Sequence, residues 1–68
     1  MTGYGEKLRA LRGEKSADEV AKAIGISDSA IGMYEREERI PRDHIKVKLA
    51  EYFNTTVQAI FFEPNATI

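Results

Sequence analysis

The side chains able to do chemistry in this chain cluster between Ser16 and Arg42. Asp28, Ser29, Gly32 and Met33 fall on one outer face of a short helix if that stretch is helical. Asp28 offers an acceptor, Ser29 a hydroxyl, Met33 a thioether, and Gly32 no side chain. Arg36, Arg39 and Arg42 follow as a group of permanent cations, and Ser16 and Ser27 stand at two candidate helix starts. Such an inventory does not suit catalysis. Cysteine is absent, His44 is the single histidine, and no nucleophile has a visible base beside it. It suits recognition of a polyanion with readable edges. A slim polar helix face fits a DNA major groove, where a carboxylate accepts from a cytosine amino group and a methionine tip touches a thymine methyl. Arginines, hydroxyls and helix-start amides suit phosphate oxygens. Asp28 also reads as a first-turn helix charge, and each arginine as a solvated surface group.

Two short helices with a tight turn must position these groups. Ser16 followed three residues later by Glu19 is a capping-box pattern. Val20, Ala21 and Ile24 then form an apolar stripe, and Gly25 closes the helix because glycine accepts the left-handed conformation. Ile26 plugs the gap, Ser27 caps the next helix, and Ala30, Ile31 and Tyr34 give its inward stripe. Tyr4, Leu8 and Leu11 share a face of an earlier helix ending at Gly13, with Lys7 and Arg9 outward and Met1 to Gly5 a frayed start. Pro41 precedes a fourth helix, with Ile45, Leu49 and Phe53 inward and Lys46, Lys48 and Glu51 facing water. Asn54 suits a left-handed stop, Thr56 caps a last short helix, and Pro64 ends it.

The ordered set resembles the phage repressor and Cro type of helix-turn-helix domain, the XRE-like class. The matching residues are Arg12, Glu19-Val20-Ala21, Gly25-Ile26-Ser27, Ala30-Ile31, Tyr34-Glu35, Arg39-Ile40-Pro41, and Leu49-Ala50 through Thr56 to Ile60-Phe61-Phe62. They cover the chain from about Leu8 to Phe62. The resemblance implies an all-α, five-helix, lambda-repressor-like domain with helices near 4–13, 17–24, 28–36, 42–53 and 57–62. It implies that Asp28, Ser29, Gly32 and Met33 meet base edges, while by their own chemistry Ser16, Ser27, Arg36, Arg39 and Arg42 are the expected phosphate contacts. It also implies an ion pair between Arg12 and Glu35, tying the first helix to the recognition helix, and dimerisation through the last helix. Three departures stand out. The turn Gly13-Glu14-Lys15 is shorter than usual, Ala17 replaces a backbone-gripping glutamine, and Glu37 replaces a helix-stopping glycine. Lacking that glycine, the recognition helix is expected to run on by part of a turn.

At 68 residues the chain reads as a single domain, with its core within 4–62 and 63–68 a tail. Leu8, Leu11, Val20, Ala21, Ile24, Ile26, Ile31, Tyr34, Leu49, Ala50, Phe53 and Ile60 are the expected core. Phe61 and Phe62 are adjacent, so one helix cannot bury both on one face; the leftover ring, with Ile40, is the expected dimer surface. No apolar run reaches the roughly 20 residues of a membrane span, and the absence of cysteine fits a reducing cytoplasm. No metal, cofactor or small-molecule ligand is indicated.

The charge balance pulls the other way from DNA. Ten Lys and Arg stand against 11 Asp and Glu, a net charge of -1. Nucleic-acid binders are usually basic, so local clusters must carry the attraction. The reading is a sequence-specific DNA-binding transcriptional regulator, of repressor type, that binds an inverted repeat as a homodimer. The alternative is a protein-interaction module on the same fold, such as an antitoxin or adaptor.

Overall fold

The computed structural model describes residues 3–62. The tail at 63–68 lies outside them. Four α-helices run Tyr4–Arg12 (α1), Ala17–Ile24 (α2), Asp28–Glu35 (α3) and Asp43–Tyr52 (α4), and a π-helical turn, Gln58–Phe62 (α5), follows. No strand occurs among the described residues. The bounds agree with the sequence pattern to within one residue at each end, the normal uncertainty of a frayed helix terminus.

Local chemistry explains most of these ends. Ser16 Oγ accepts from the Glu19 amide at 3.0 Å, and Ser27 Oγ from the Ala30 amide at 3.1 Å, so α2 and α3 each start on a serine cap. Gly25 closes α2 at φ 82, and its amide donates to the Ala21 carbonyl at 2.8 Å. Asn54 takes φ 58 after α4, where the Thr55 amide reaches the Ala50 carbonyl at 2.9 Å. Thr56 Oγ1 accepts from the Ala59 amide at 3.0 Å and starts α5.

The end of α3 differs from the expectation. The helix does not run on. Glu37 itself adopts the left-handed conformation at φ 59. The Glu38 amide donates to the Met33 carbonyl at 2.9 Å and the Glu37 amide to the Tyr34 carbonyl at 3.1 Å, the paired bonds of a Schellman ending. A tertiary contact offsets the strain: Glu37 Oε2 accepts from the Gly5 amide at 3.1 Å. That amide lies in the first turn of α1, whose own N-cap residue, Gly3, makes no side-chain cap bond. The frayed-start expectation therefore fails at Gly5, which is buried. A Cβ there would lie 2.2 Å from the Glu35 carbonyl oxygen, so only glycine lets α1 approach the end of α3 this closely.

Leu8, Val20, Ala21, Ile24, Ile31, Tyr34, Ile45, Leu49, Ala50 and Ile60 form the buried core, where α2 and α1 both pack on α3 and α2 packs on α4. Expectations for five residues are corrected. Leu11 is 39% exposed, in a surface groove it lines together with Ala59 and Ile60. Ile26 and Phe53 pack only at the margin of the core. Lys7 folds inward, its Nζ donating to the Ala59 carbonyl at 3.1 Å. Lys46 does not face water: it lies over the Phe61 and Phe62 rings at 5.5 and 5.1 Å.

Candidate nucleic-acid interface

α3 has one dry side and one wet side. Ile31 and Tyr34 are buried against α1 and α2, and Ala30 packs beside them. The opposite side carries Asp28 and Ser29, both exposed, and Gly32 and Met33, both half-buried. The four residues therefore share a short outer surface of α3. Ser27 and Ser16 lie at the starts of α3 and α2, both exposed. Each hydroxyl oxygen is used in a cap, which leaves its proton free to donate outward.

A bidentate ion pair ties α3 to α1. Arg12 Nε donates to Glu35 Oε2 at 2.6 Å and Arg12 Nη2 to Glu35 Oε1 at 2.9 Å, a bidentate fork. The Glu35 side chain is only 5% exposed. Arg12 Nη1 also donates to the Lys15 carbonyl at 2.8 Å, so one guanidinium joins α1, the short turn and α3. The Glu35 hydrogen bond, ahead of a smaller opposing effect of burial, raises the Arg12 pKa further and keeps it charged.

The loop from Arg36 to Arg42 is held from α1. Besides the Glu37 bond to Gly5, the Tyr4 hydroxyl donates to the Arg39 carbonyl at 2.9 Å. The Arg39 and Arg42 side chains are exposed at either end of this loop's last stretch, and neither has an ion-pair partner among the described residues. Arg42 stands at the N-cap position of α4, next to the buried Pro41.

Arg36 is placed differently. Its Nε donates to Glu38 Oε2 at 2.9 Å and its Nη2 to Glu38 Oε1 at 3.3 Å. This hydrogen-bonded pairing raises the Arg36 pKa and lowers that of Glu38. The guanidinium then lies back over α3, where Nη1 would be 3.0 Å from a Cβ on Gly32. Sequence reading missed this arrangement. The signal was present in the i, i+4 spacing of Gly32 and Arg36 and in the acid two residues on.

A helix-turn-helix family model of the Cro/C1 type matches residues 6–60, most of the chain. The chain belongs to the phage repressor/Cro-type, XRE-like family of helix-turn-helix DNA-binding domains. Among solved structures the fold is similar to that of the P22 c2 repressor protein, determined in complex with synthetic operator 9T in the presence of Tl+. The TM-score is 0.88 at 23% identity, covering 91% of this chain and 97% of that one. No curated protein sequence matches the chain.

In helix-turn-helix terms, α2 and α3 are the motif and α3 is the recognition helix. Apolar side chains are exposed elsewhere. Ile40 and Phe62 are each 65% exposed, whereas Phe61 stacks on Tyr4 at 5.4 Å between ring centres. The leftover ring of the adjacent pair is thus Phe62. No group of acidic, histidine or cysteine residues among the described residues could hold a metal ion, and no described helix is long and apolar enough to cross a membrane.

Proposed function

We propose that the protein is a sequence-specific transcriptional regulator of repressor type, acting in the cytoplasm as a homodimer on an inverted-repeat operator. The observation that carries this reading is the outer face of α3, where Asp28, Ser29, Gly32 and Met33 form a slim surface, with the exposed arginines Arg39 and Arg42 following before α4. Asp28, Ser29 and Met33 face the bases, with Asp28 accepting from cytosine and Met33 touching thymine. Ser16, Ser27, Arg39 and Arg42 hold the phosphates and set the register of the helix in the groove. Family membership and the similarity in fold to a repressor bound to operator support the reading. Phe62 with Ile40 supplies the surface between protomers.

Selection of bound sequences from a random duplex pool at low salt tests the proposal. The expected product is an inverted repeat with half-sites about 34 Å apart, one helical turn. Absence of any enriched sequence, with binding lost at moderate salt, would refute it in favour of bare backbone attraction. One observation favours a second reading, an antitoxin-like or adaptor module. Glu38 already satisfies Arg36, and the net charge is -1, so the cationic surface is thin. A stoichiometric complex with another protein and no DNA retardation at low salt would select it.

A further inference from the structure

Arg36 was expected among the phosphate contacts, and its geometry suits another task. A phosphate-gripping arginine extends away from the helix toward the backbone. The Arg36 guanidinium instead lies over Gly32, on the face of α3 that carries the proposed base contacts. Helical side chains lean toward the preceding turn, so a residue at i+4 covers the residue at i. Gly32 leaves room for this close approach: a Cβ there would lie 3.0 Å from Nη1 and 3.7 Å from Cζ, so the guanidinium would have to move off by a few tenths of an ångström.

Glu38 holds the guanidinium by one edge. Its two oxygens take Nε and Nη2. The end-on fork, formed by Nη1 and the outer proton of Nη2, is left open. Two parallel donors at that spacing match the O6 and N7 acceptors of guanine in the major groove. A guanidinium already fixed by a carboxylate loses less rotamer freedom on docking than a free one. The carboxylate also offsets the charge that would otherwise draw the arginine to the nearest phosphate.

We propose that Arg36, cleared by Gly32 and buttressed by Glu38, is the guanine-reading residue of the recognition helix. Arg36 is then a specificity residue, and Glu38 and Gly32 are positioning residues. The proposal rests on the operator-binding reading above.

The test compares sequence selection by the wild type, Arg36→Lys and Glu38→Gln, with circular dichroism confirming that each is folded. Both substituted positions are exposed. The wild type should select guanine at one position of each half-site. Arg36→Lys keeps the charge and loses the fork, so that one position should flatten while the others persist. Affinity for the selected site should fall by about 10-fold or more, the scale of one bidentate contact. Glu38→Gln should narrow the ratio between guanine and adenine at the same position, even as removal of the acid raises binding to all DNA. Arg36→Lys with an unchanged profile and near-wild-type affinity would overturn the proposal and return Arg36 to the phosphates. Glu38→Gln that tightens every sequence alike, with the ratio intact, would overturn the buttress. A wild type that selects no sequence would overturn the operator reading itself, a distinct outcome.

Discussion

Replacing Arg12 by methionine should strip the recognition helix of the ion pair that ties it to α1. The Glu35 side chain is 5% exposed, and Arg12 gives it two hydrogen bonds at 2.6 and 2.9 Å. The other cation nearby is Arg9, with Nε at 3.6 Å and a side chain 63% exposed. An exposed pair of that kind is worth about 0–1 kcal/mol, so it cannot stand in for Arg12. Removing one partner of a buried pair leaves an uncompensated charge and costs about 3–5 kcal/mol. Arg12 is itself 22% exposed, and that opening for water places the expected loss near the lower bound, about 3 kcal/mol. At ~0.05–0.15 kcal/mol per residue the whole domain has roughly 3–10 kcal/mol of stability, so the variant should be marginal or unfolded. With a urea slope of about 1 kcal/mol/M the unfolding midpoint should fall by about 3 M. The cycle is completed by Glu35→Gln and the double variant, followed by circular dichroism in urea. Glu35→Gln should cost less, because Arg12 can turn to water. The double variant should fall short of the sum by more than ~1 kcal/mol, the signature of coupled neighbours. Additive losses, or an Arg12→Met loss under ~1 kcal/mol, would show that the pair does not hold α3 on α1.

Three further outcomes are expected. Glu37→Gly should relieve a left-handed non-glycine residue, worth ~1 kcal/mol, and lose the charge-assisted bond to the Gly5 amide, worth ~1.5–3 kcal/mol. The net is a lower melting temperature by several degrees; a higher one would show that the bond contributes nothing. Tyr4→Phe should cost about 1 kcal/mol through the lost bond to the Arg39 carbonyl. Burial, and then the negative charge of Glu37, hold the Tyr4 phenol above its usual 10.0. A raised folded pKa stabilises below the unfolded value and ceases to as pH rises through the folded one. The gap between wild type and Tyr4→Phe should thus persist up to pH 10 and close only above it; closure between pH 9 and 10 would refute the assignment. For DNA, the proposed dimer, with Arg39 and Arg42 of both protomers on phosphates, should show a slope of log affinity on log salt of about -4. Arg39→Ala should reduce it to about -2, and an unchanged slope would remove Arg39 from the interface.

The helix-turn-helix unit was legible residue by residue because its rules are local. Ser16, Ser27 and Thr56 cap helices through bonds that reach three residues along the chain. Gly25 and Asn54 end helices through their own φ values. The inward stripe of α2 and α3 follows from helical spacing, which also separates Asp28, Ser29, Gly32 and Met33 from the core. Periodicity therefore sufficed for which face of α3 stays out of the core, and the ordered motif residues, through the resemblance they carry, for the five-helix fold. Other features depend on contacts between residues far apart in sequence. Glu37 could replace a glycine because Gly5, 32 residues away, offers an unsatisfied amide. Leu11 stays exposed although it lies on the apolar stripe of α1, and Lys46 is covered because Phe61 and Phe62 reach it. Arg36 looked like any surface cation until its position over Gly32 and against Glu38 was seen. Backbone hydrogen bonds and apolar period are encoded within a turn of helix, whereas the partner of a long charged side chain is settled by whichever surface the packed helices bring within its reach.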